Sequence, residues 1–167
     1  MVIKTRELQT DDFQSISDAF SGIGWNKPLS LFEKYYNEQL SGERFCFVAF
    51  CDDQFAGYIT LIKKSKYEHF GSENIPEISD LNVLPIYRNQ GIGTTLIQEC
   101  EKQAKTFSHK IGLGVGLISD YTNAMRLYLK LGYKFDGKGI AYNGEILQYG
   151  KQTIVDDDLN LYLLKSF

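Results

Sequence analysis

The sequence predicts a mixed α/β fold, and three observations predict it. The chain has 167 residues, 43% of them hydrophobic and 23% charged, which suits one globular domain able to bury a proper core. Aromatic and β-branched runs alternate with segments of helical periodicity along the chain. In the second half a helical segment connects two strand-like runs, and that connection implies a parallel pair.

Residues 2–8 read as a first strand. Thr10 then caps a helix running to about residue 20, with Asp11 and Asp12 at its positive end. The stretch from Gly22 to Pro28 breaks that helix. A second helix over 28–40 puts Phe32, Tyr35, Tyr36 and Leu40 on one face. Residues 44–51 and 55–62, joined by Asp52-Asp53-Gln54, read as an antiparallel hairpin. A polar loop over 63–74 comes next, then an extended segment at 76–84, a helix over 91–107, a strand at 111–117 and a helix over 121–131. The tail 137–158 is rich in Gly and polar residues, and 159–164 gives a last strand. No repeat, low-complexity tract or linker interrupts this order, so residues 1–167 read as a single domain.

Charge and cysteine usage exclude several functions. Eighteen Lys+Arg against 21 Asp+Glu give a formal net charge of −3, without the basic excess of a nucleic-acid or anionic-membrane surface. Cys46, Cys51 and Cys100 are an odd number at spacings that match no metal or redox pattern, and His69 and His109 lie far from them in sequence. They read as reduced structural thiols, with no metal implied. The start has charges at residues 4, 6 and 7 and no apolar core of a leader, and no run approaches ~18 apolar residues. A soluble, cytoplasmic protein is the expectation.

The informative block runs from Pro76 to Ile97. A strand ends near Leu84, a tight turn passes through Pro85 and Tyr87, and Gly91-Ile92-Gly93 opens a helix with the apolar stripe Ile92, Leu96, Cys100, Ala104 and Phe107. Glycines let a backbone approach a ligand, and the amides of a first helical turn point outward with the positive end of the macrodipole behind them. A pyrophosphate suits such a cradle. The run lacks the Gly-Lys-Ser/Thr of a Walker loop and the third glycine and acid of a dinucleotide fold. Glycines chosen only for tight helix–strand packing are the alternative.

Arg88-x-x-Gly91-x-Gly93 after a strand resembles the acetyl-CoA pyrophosphate loop of the GNAT superfamily of N-acetyltransferases, whose pattern is Arg/Gln-x-x-Gly-x-Gly/Ala. Downstream, Ala124-Met125-Arg126-Leu127-Tyr128-Leu129-Lys130-Leu131-Gly132-Tyr133 resembles the same family's Ala-x-x-Leu-Tyr-x-Lys-x-Gly-Phe/Tyr segment. The resemblance covers 76–136 in motif and about 2–136 in topology. It implies a GNAT-like domain with a central, mostly antiparallel sheet, a parallel pair splayed at the cofactor site, and flanking helices. It also implies that acetyl-CoA is the co-substrate. The backbone around Leu81 and Val83 would pair with the pantetheine arm and polarise the acetyl carbonyl. Arg88, Asn89, Gln90 and Gly91, with Ile92, Gly93 and Thr94, would hold the pyrophosphate, and Tyr128 would face the thioester sulfur as general acid. The family often has Asn three residues before the alanine matching Ala124; this chain has Tyr121 there and Asn123 nearby, so cofactor contact is open between the two.

Acyl transfer to an amine needs a neutral amine, an oxyanion site and a proton for the departing thiolate. A lysine-like amine is only about one part in 10³ neutral at pH 7, so a carboxylate in the cleft, directly or through water, has a proton to remove. Glu77 and Asp80 are the candidates. In a regular strand Glu77 shares a face with Ser79, Leu81 and Val83, and Asp80 with Ile78 and Asn82. Some members of the family resemble this chain in placing a glutamate six residues before the strand-end valine, as Glu77 precedes Val83. Glu77 is therefore the preferred base, with Asp80 and water as alternatives.

Residues 111–117 put Gly112, Gly114 and Gly116 on one strand face, bare for a ligand or for packing. Trp25, Tyr35, Tyr36, the 63–74 loop with Tyr67 and Phe70, the segment Tyr142 to Tyr149, and the run Asp156-Asp157-Asp158 flank the acceptor side in similar folds. Core packing, and for the acidic run a solvated turn, are the plain alternatives. The expectation is an acetyl-CoA-dependent N-acetyltransferase acting on a primary amine of a small molecule or peptide, by direct transfer in a ternary complex, with no nucleic-acid or membrane partner and with room for a homodimer. The rival class is a non-catalytic acyl-CoA-binding sensor or regulatory module of the same fold. A nucleotide-binding α/β domain is a weaker third.

Overall fold

The computed structural model describes residues 2–167. The chain divides into two compact units, Met1–Ile62 with Asp80–Lys102, and Lys63–Ser79 with Gln103–Phe167. One strand, Glu77–Val83, begins in the second unit and ends in the first.

In the first unit, β1 (Ile3–Glu7) pairs antiparallel with β2 (Arg44–Cys51), and β2 pairs with β3 (Gln54–Ile62). The hairpin turns at Asp52 and Asp53, both left-handed with φ of 47° and 65°, the conformation that matches strand twist in a two-residue loop. Two helices, α1 (Asp12–Ser21) and α2 (Leu29–Leu40), supply Ile16, Phe20, Phe32 and Tyr35 to a core shared with Cys46, Val48, Tyr58 and Leu84. That core is aromatic: the Phe20 and Phe32 rings meet Tyr58 edge-on at 5.7 and 5.3 Å.

In the second unit, α3 (Glu68–Glu73) precedes β4 (Glu77–Val83), whose start runs parallel to β5 (Lys110–Gly116) through Glu77↔Gly112 and Ile78↔Leu113. Along the chain these two strands are joined through α4 (Ile92–Ala104), which up to Lys102 belongs to the first unit, and the expected parallel pair is present. A further helix, α5 (Thr122–Lys130), leads to β6 (Lys134–Tyr142), and β8 (Leu159–Ser166) lies antiparallel between β5 and β6. The short β7 (Glu145–Ile146) closes a hairpin on β6 through Asn143 and Gly144, both left-handed. Antiparallel pairing with one parallel pair and flanking helices is the mixed α/β class the sequence implies.

Several details differ from expectation. Thr10 does not cap α1: the N-cap residue is Asp11, which makes no side-chain capping bond, while Asp12 accepts the Gln9 N–H at 2.8 Å and a bidentate pair from Arg6 at 2.6 Å. The expected polar loop at 63–74 contains α3, which six residues could not sustain alone. Tertiary contacts hold it: Phe70 is fully buried, and the Glu68 N–H donates to the Gly144 carbonyl at 3.0 Å. The Gly- and polar-rich tail, where the sequence marks no strand before residue 159, contains the end of β6 and all of β7. Gly137 and Gly139 are left-handed and bulge β6 between Phe135 and Ile140, which erases the alternation that marks a strand. Among the described residues no helix is long and apolar enough to cross a membrane.

Candidate active site

The loop that opens α4 has the geometry the glycine pattern suggests. A single 3₁₀ turn at Pro85–Tyr87 ends β4, and Asn89 (φ 60°) and Gly91 (φ 88°) are then left-handed on either side of Gln90. A Cβ on Gly91 would meet nothing within 4 Å, so the glycine serves backbone conformation and not space. The Thr95 N–H donates to the Gly91 carbonyl at 2.9 Å, the first bond of the helix. The amides of Ile92, Gly93 and Thr94 therefore belong to the helix's outward-facing first turn. Ile92, Leu96, Ile97, Cys100 and Ala104 are buried and fix the helix, while Phe107 lies past its end and is 42% exposed. The exposed Arg88 donates from Nε to the Val83 carbonyl at 3.1 Å, and its guanidinium lies 5.4 Å from the Trp25 ring centre.

On β4, Asp80 and Asn82 meet side chain to side chain: Asn82 Nδ2 donates to Asp80 Oδ1 at 2.7 Å and reaches the Tyr58 hydroxyl at 3.2 Å. Asp80 Oδ1 also accepts from Lys27 Nζ at 2.8 Å, and Oδ2 accepts from the hydroxyls of Tyr35 at 2.8 Å and Tyr58 at 2.6 Å. Burial raises the carboxyl's pKa, but the Lys27 ammonium and the hydroxyl donors outweigh it, so Asp80 titrates below the usual aspartate value. A carboxylate this saturated with donors is a poor proton acceptor. Asp80 also raises the pKa of Tyr35 and Tyr58, whose burial is the larger cause.

Glu77, in the second unit, accepts the Ser65 hydroxyl at 2.5 Å, and Ser65 in turn accepts the Tyr67 N–H at 2.9 Å. Tyr128 is buried, its ring 6.3 Å from Tyr133, and burial pushes its hydroxyl up to about 12. Tyr121 donates to Asp157 at 2.8 Å, while Asn123 is exposed at the start of α5.

Bare strand glycines here accommodate rings. Cβ atoms on Gly114 and Gly116 would come within 3.0 Å of Tyr162 and 2.5 Å of Tyr121, and one on Gly112 would run into Phe70. Tyr67 and Phe70 are core residues of the second unit, stacked on and edge-on to Tyr162. The acidic run is partly engaged, Asp156 accepting from the Tyr142 hydroxyl at 3.1 Å. Of the aromatic segments flagged by sequence, Trp25 keeps 36% exposure. It lines a cavity of about 300 Å³ with Ser17, Ser21, Asn26 and Lys27. A second cavity, of about 320 Å³, lies against Phe135, Asp136 and Tyr162 in the second unit. Lys27, Tyr58 and Ser65 carry no local motif, and their partners stand 53, 22 and 12 residues away.

Residues 4–133 match the profile of a family described as the acetyltransferase (GNAT) family. No curated protein sequence matches the chain. Among solved structures, the chain is similar to the PaiA N-acetyltransferase of Thermoplasma acidophilum in complex with coenzyme A (18% identity, TM-score 0.69, all of both chains covered). It is also similar to YncA of Salmonella typhimurium with its cofactor acetyl-CoA (17%, 0.69, 99% of this chain and 94% of that one). A third is the ribosomal-protein-alanine N-acetyltransferase of Brucella melitensis (19%, 0.71, all of both chains). At these identities the likeness is one of fold.

Proposed function

Since the chain belongs to the acetyltransferase (GNAT) family, we propose that it transfers the acetyl group of acetyl-CoA to a primary amine of a small molecule or peptide, directly and within a ternary complex. The loop from Arg88 to Thr94 carries this reading: two left-handed residues flank Gln90 and deliver the chain into the first turn of a 13-residue helix. Amides aimed outward at a helix start are suited to a pyrophosphate. The reading takes residues 1–167 as one catalytic domain in the cytoplasm, in keeping with three cysteines that are free and buried thiols.

In this reading the backbone of Leu81 and Val83 pairs with the pantetheine arm and polarises the acetyl carbonyl. The amine nitrogen attacks the carbonyl carbon, the C–S bond breaks, and the proton of the attacking amine passes to Glu77, directly or through water. Tyr128, neutral throughout the physiological range, donates its proton to the departing thiolate. Saturation of Asp80 by four donors favours Glu77 or water as the base. Asn123, exposed beside the α5 start, is proposed as a cofactor contact.

A thiol-release assay with acetyl-CoA tests the reading against amines, polyamines, aminoglycosides, amino acids and peptide N-termini. Thiol release that depends on both substrates is the expected result. Tight acetyl-CoA binding with no release from any amine would overturn it in favour of a non-catalytic acyl-CoA-binding module.

A further inference from the structure

We infer that Asp80 is a positioning residue: its carboxylate, clamped by Lys27, Tyr35, Tyr58 and Asn82, holds the left-handed backbone turn that aims the Leu81–Val83 stretch of β4. This rests on the proposed acetyl transfer, in which that stretch meets the cofactor's arm.

Among the described residues, the non-glycine positions with positive φ are Asp52, Asp53, Asn74, Asp80, Asn89 and Asn143. Five of them stand in turns, a helix cap or the α4 loop, where such a conformation is the local need. Asp80, at φ 53°, stands inside a strand, where a left-handed residue kinks the ladder and redirects the residues after it. The parallel register with β5 runs through Glu77 and Ile78, two residues before the kink. Asp and Asn tolerate this conformation better than other side chains, yet something must select it against an extended alternative.

The clamp makes that selection. Both carboxylate oxygens are occupied, Oδ1 by Lys27 and Asn82 and Oδ2 by Tyr35 and Tyr58. The donors come from the segment before α2, from α2, from β3 and from β4 itself, so the carboxylate is fixed from several directions. The donors are themselves held. The Tyr35 and Tyr58 rings pack on Phe32, the Lys27 ammonium lies 5.7 Å from the centre of the Tyr58 ring, and the Arg44 guanidinium lies 4.3 Å from that of Tyr35. An extended residue 80 would pull its carboxylate from this set and leave Lys27 and two tyrosine hydroxyls without their acceptor, which is costly at a mostly buried site.

Four variants separate backbone aim from mere stability: Asp80→Ala, which loses the clamp and the tolerance of left-handed φ; Asp80→Gly, which loses only the clamp; Asp80→Asn, which keeps the shape; and Asp80→Asn with Lys27→Met, which also removes the orphaned ammonium. Thermal midpoint, acetyl-CoA Kd by calorimetry, kcat and KM for an accepted amine, and amide NMR shifts of Leu81, Asn82 and Val83 are measured on each. In Asp80→Ala the expected result is displaced 81–83 amides, a kcat lower by roughly tenfold or more, and an acetyl-CoA Kd raised by less than kcat falls. The double variant should recover most of the kcat. If Asp80→Ala does not fold, Asp80→Gly and the double variant carry the same comparison. A lowered melting point with unchanged kcat and unmoved amides would overturn the inference. If the wild type releases no thiol from any amine, the enzymatic reading fails on its own, and the amide shifts still decide whether Asp80 sets the β4 backbone.

Discussion

The Phe70 ring fills the space over Gly112 where a side chain would stand: a Cβ built on that glycine runs into three atoms of the ring. The two belong to α3 and β5, and neither Phe70 nor the Tyr67 and Tyr162 rings around it leave much slack, being 0%, 1% and 7% exposed. Gly112→Ala should therefore destabilise the protein by about 1–3 kcal/mol, as overpacked cores do. Urea unfolding measures it, and an unchanged midpoint would mean that the ring yields freely.

Gly91→Ala should act differently. No atom crowds a Cβ there, but the φ of 88° does not suit an L side chain. The loop should relax away from its present shape, with acetyl-CoA affinity falling about tenfold while the core is left intact. Calorimetry against acetyl-CoA and against free pantetheine checks this. Loss should be confined to the ligand that carries the pyrophosphate.

Tyr128→Phe should lower kcat by about 10²-fold, the usual scale for a positioned general acid, with acetyl-CoA Kd little changed. Since burial holds the hydroxyl near 12, no acid-side titration of this group is expected in the wild-type rate profile. Equal kcat in Tyr128→Phe would remove the acid role. Glu77→Gln should shift the acidic limb of the same profile, and an unmoved limb would pass the base role to water.

Asp80 makes stability depend on pH in a defined direction. Its folded pKa lies below the ordinary aspartate value of 3.8, so the unfolded chain binds the proton more tightly. The contribution is fully present above the ordinary aspartate range and disappears as pH falls through the folded value. The melting temperature of the wild type should drop between about pH 5 and pH 2 by more than that of Asp80→Asn. Parallel curves for the two proteins would rule out Asp80 as a source of the acid sensitivity.

Much of the molecule is legible in the chain because its causes are local. Asp52-Asp53 turns the β2–β3 hairpin, the stripe Ile92, Leu96, Cys100 and Ala104 buries α4, and Gly91 takes the left-handed φ that opens it. Where local signals mislead, packing is responsible. The six residues of α3 hold through Phe70, and the glycines of β6 hide a strand behind a bulge.

The mixed α/β class, the order of most elements, the glycine loop and the tyrosine-bearing segment of Ala124–Tyr133 are readable in the chain, since turn conformation and helical periodicity depend on neighbours in sequence. What Asp80 does becomes visible only once the chain is folded. Three of its four donors come from residues 27, 35 and 58, and no periodicity encodes which side chains a fold brings to one carboxylate. The same holds for the glycine face of β5, bare in sequence and filled in the fold by Phe70, Tyr162 and Tyr121. Side-chain saturation and ring packing are long-range properties, fixed when the core closes around them.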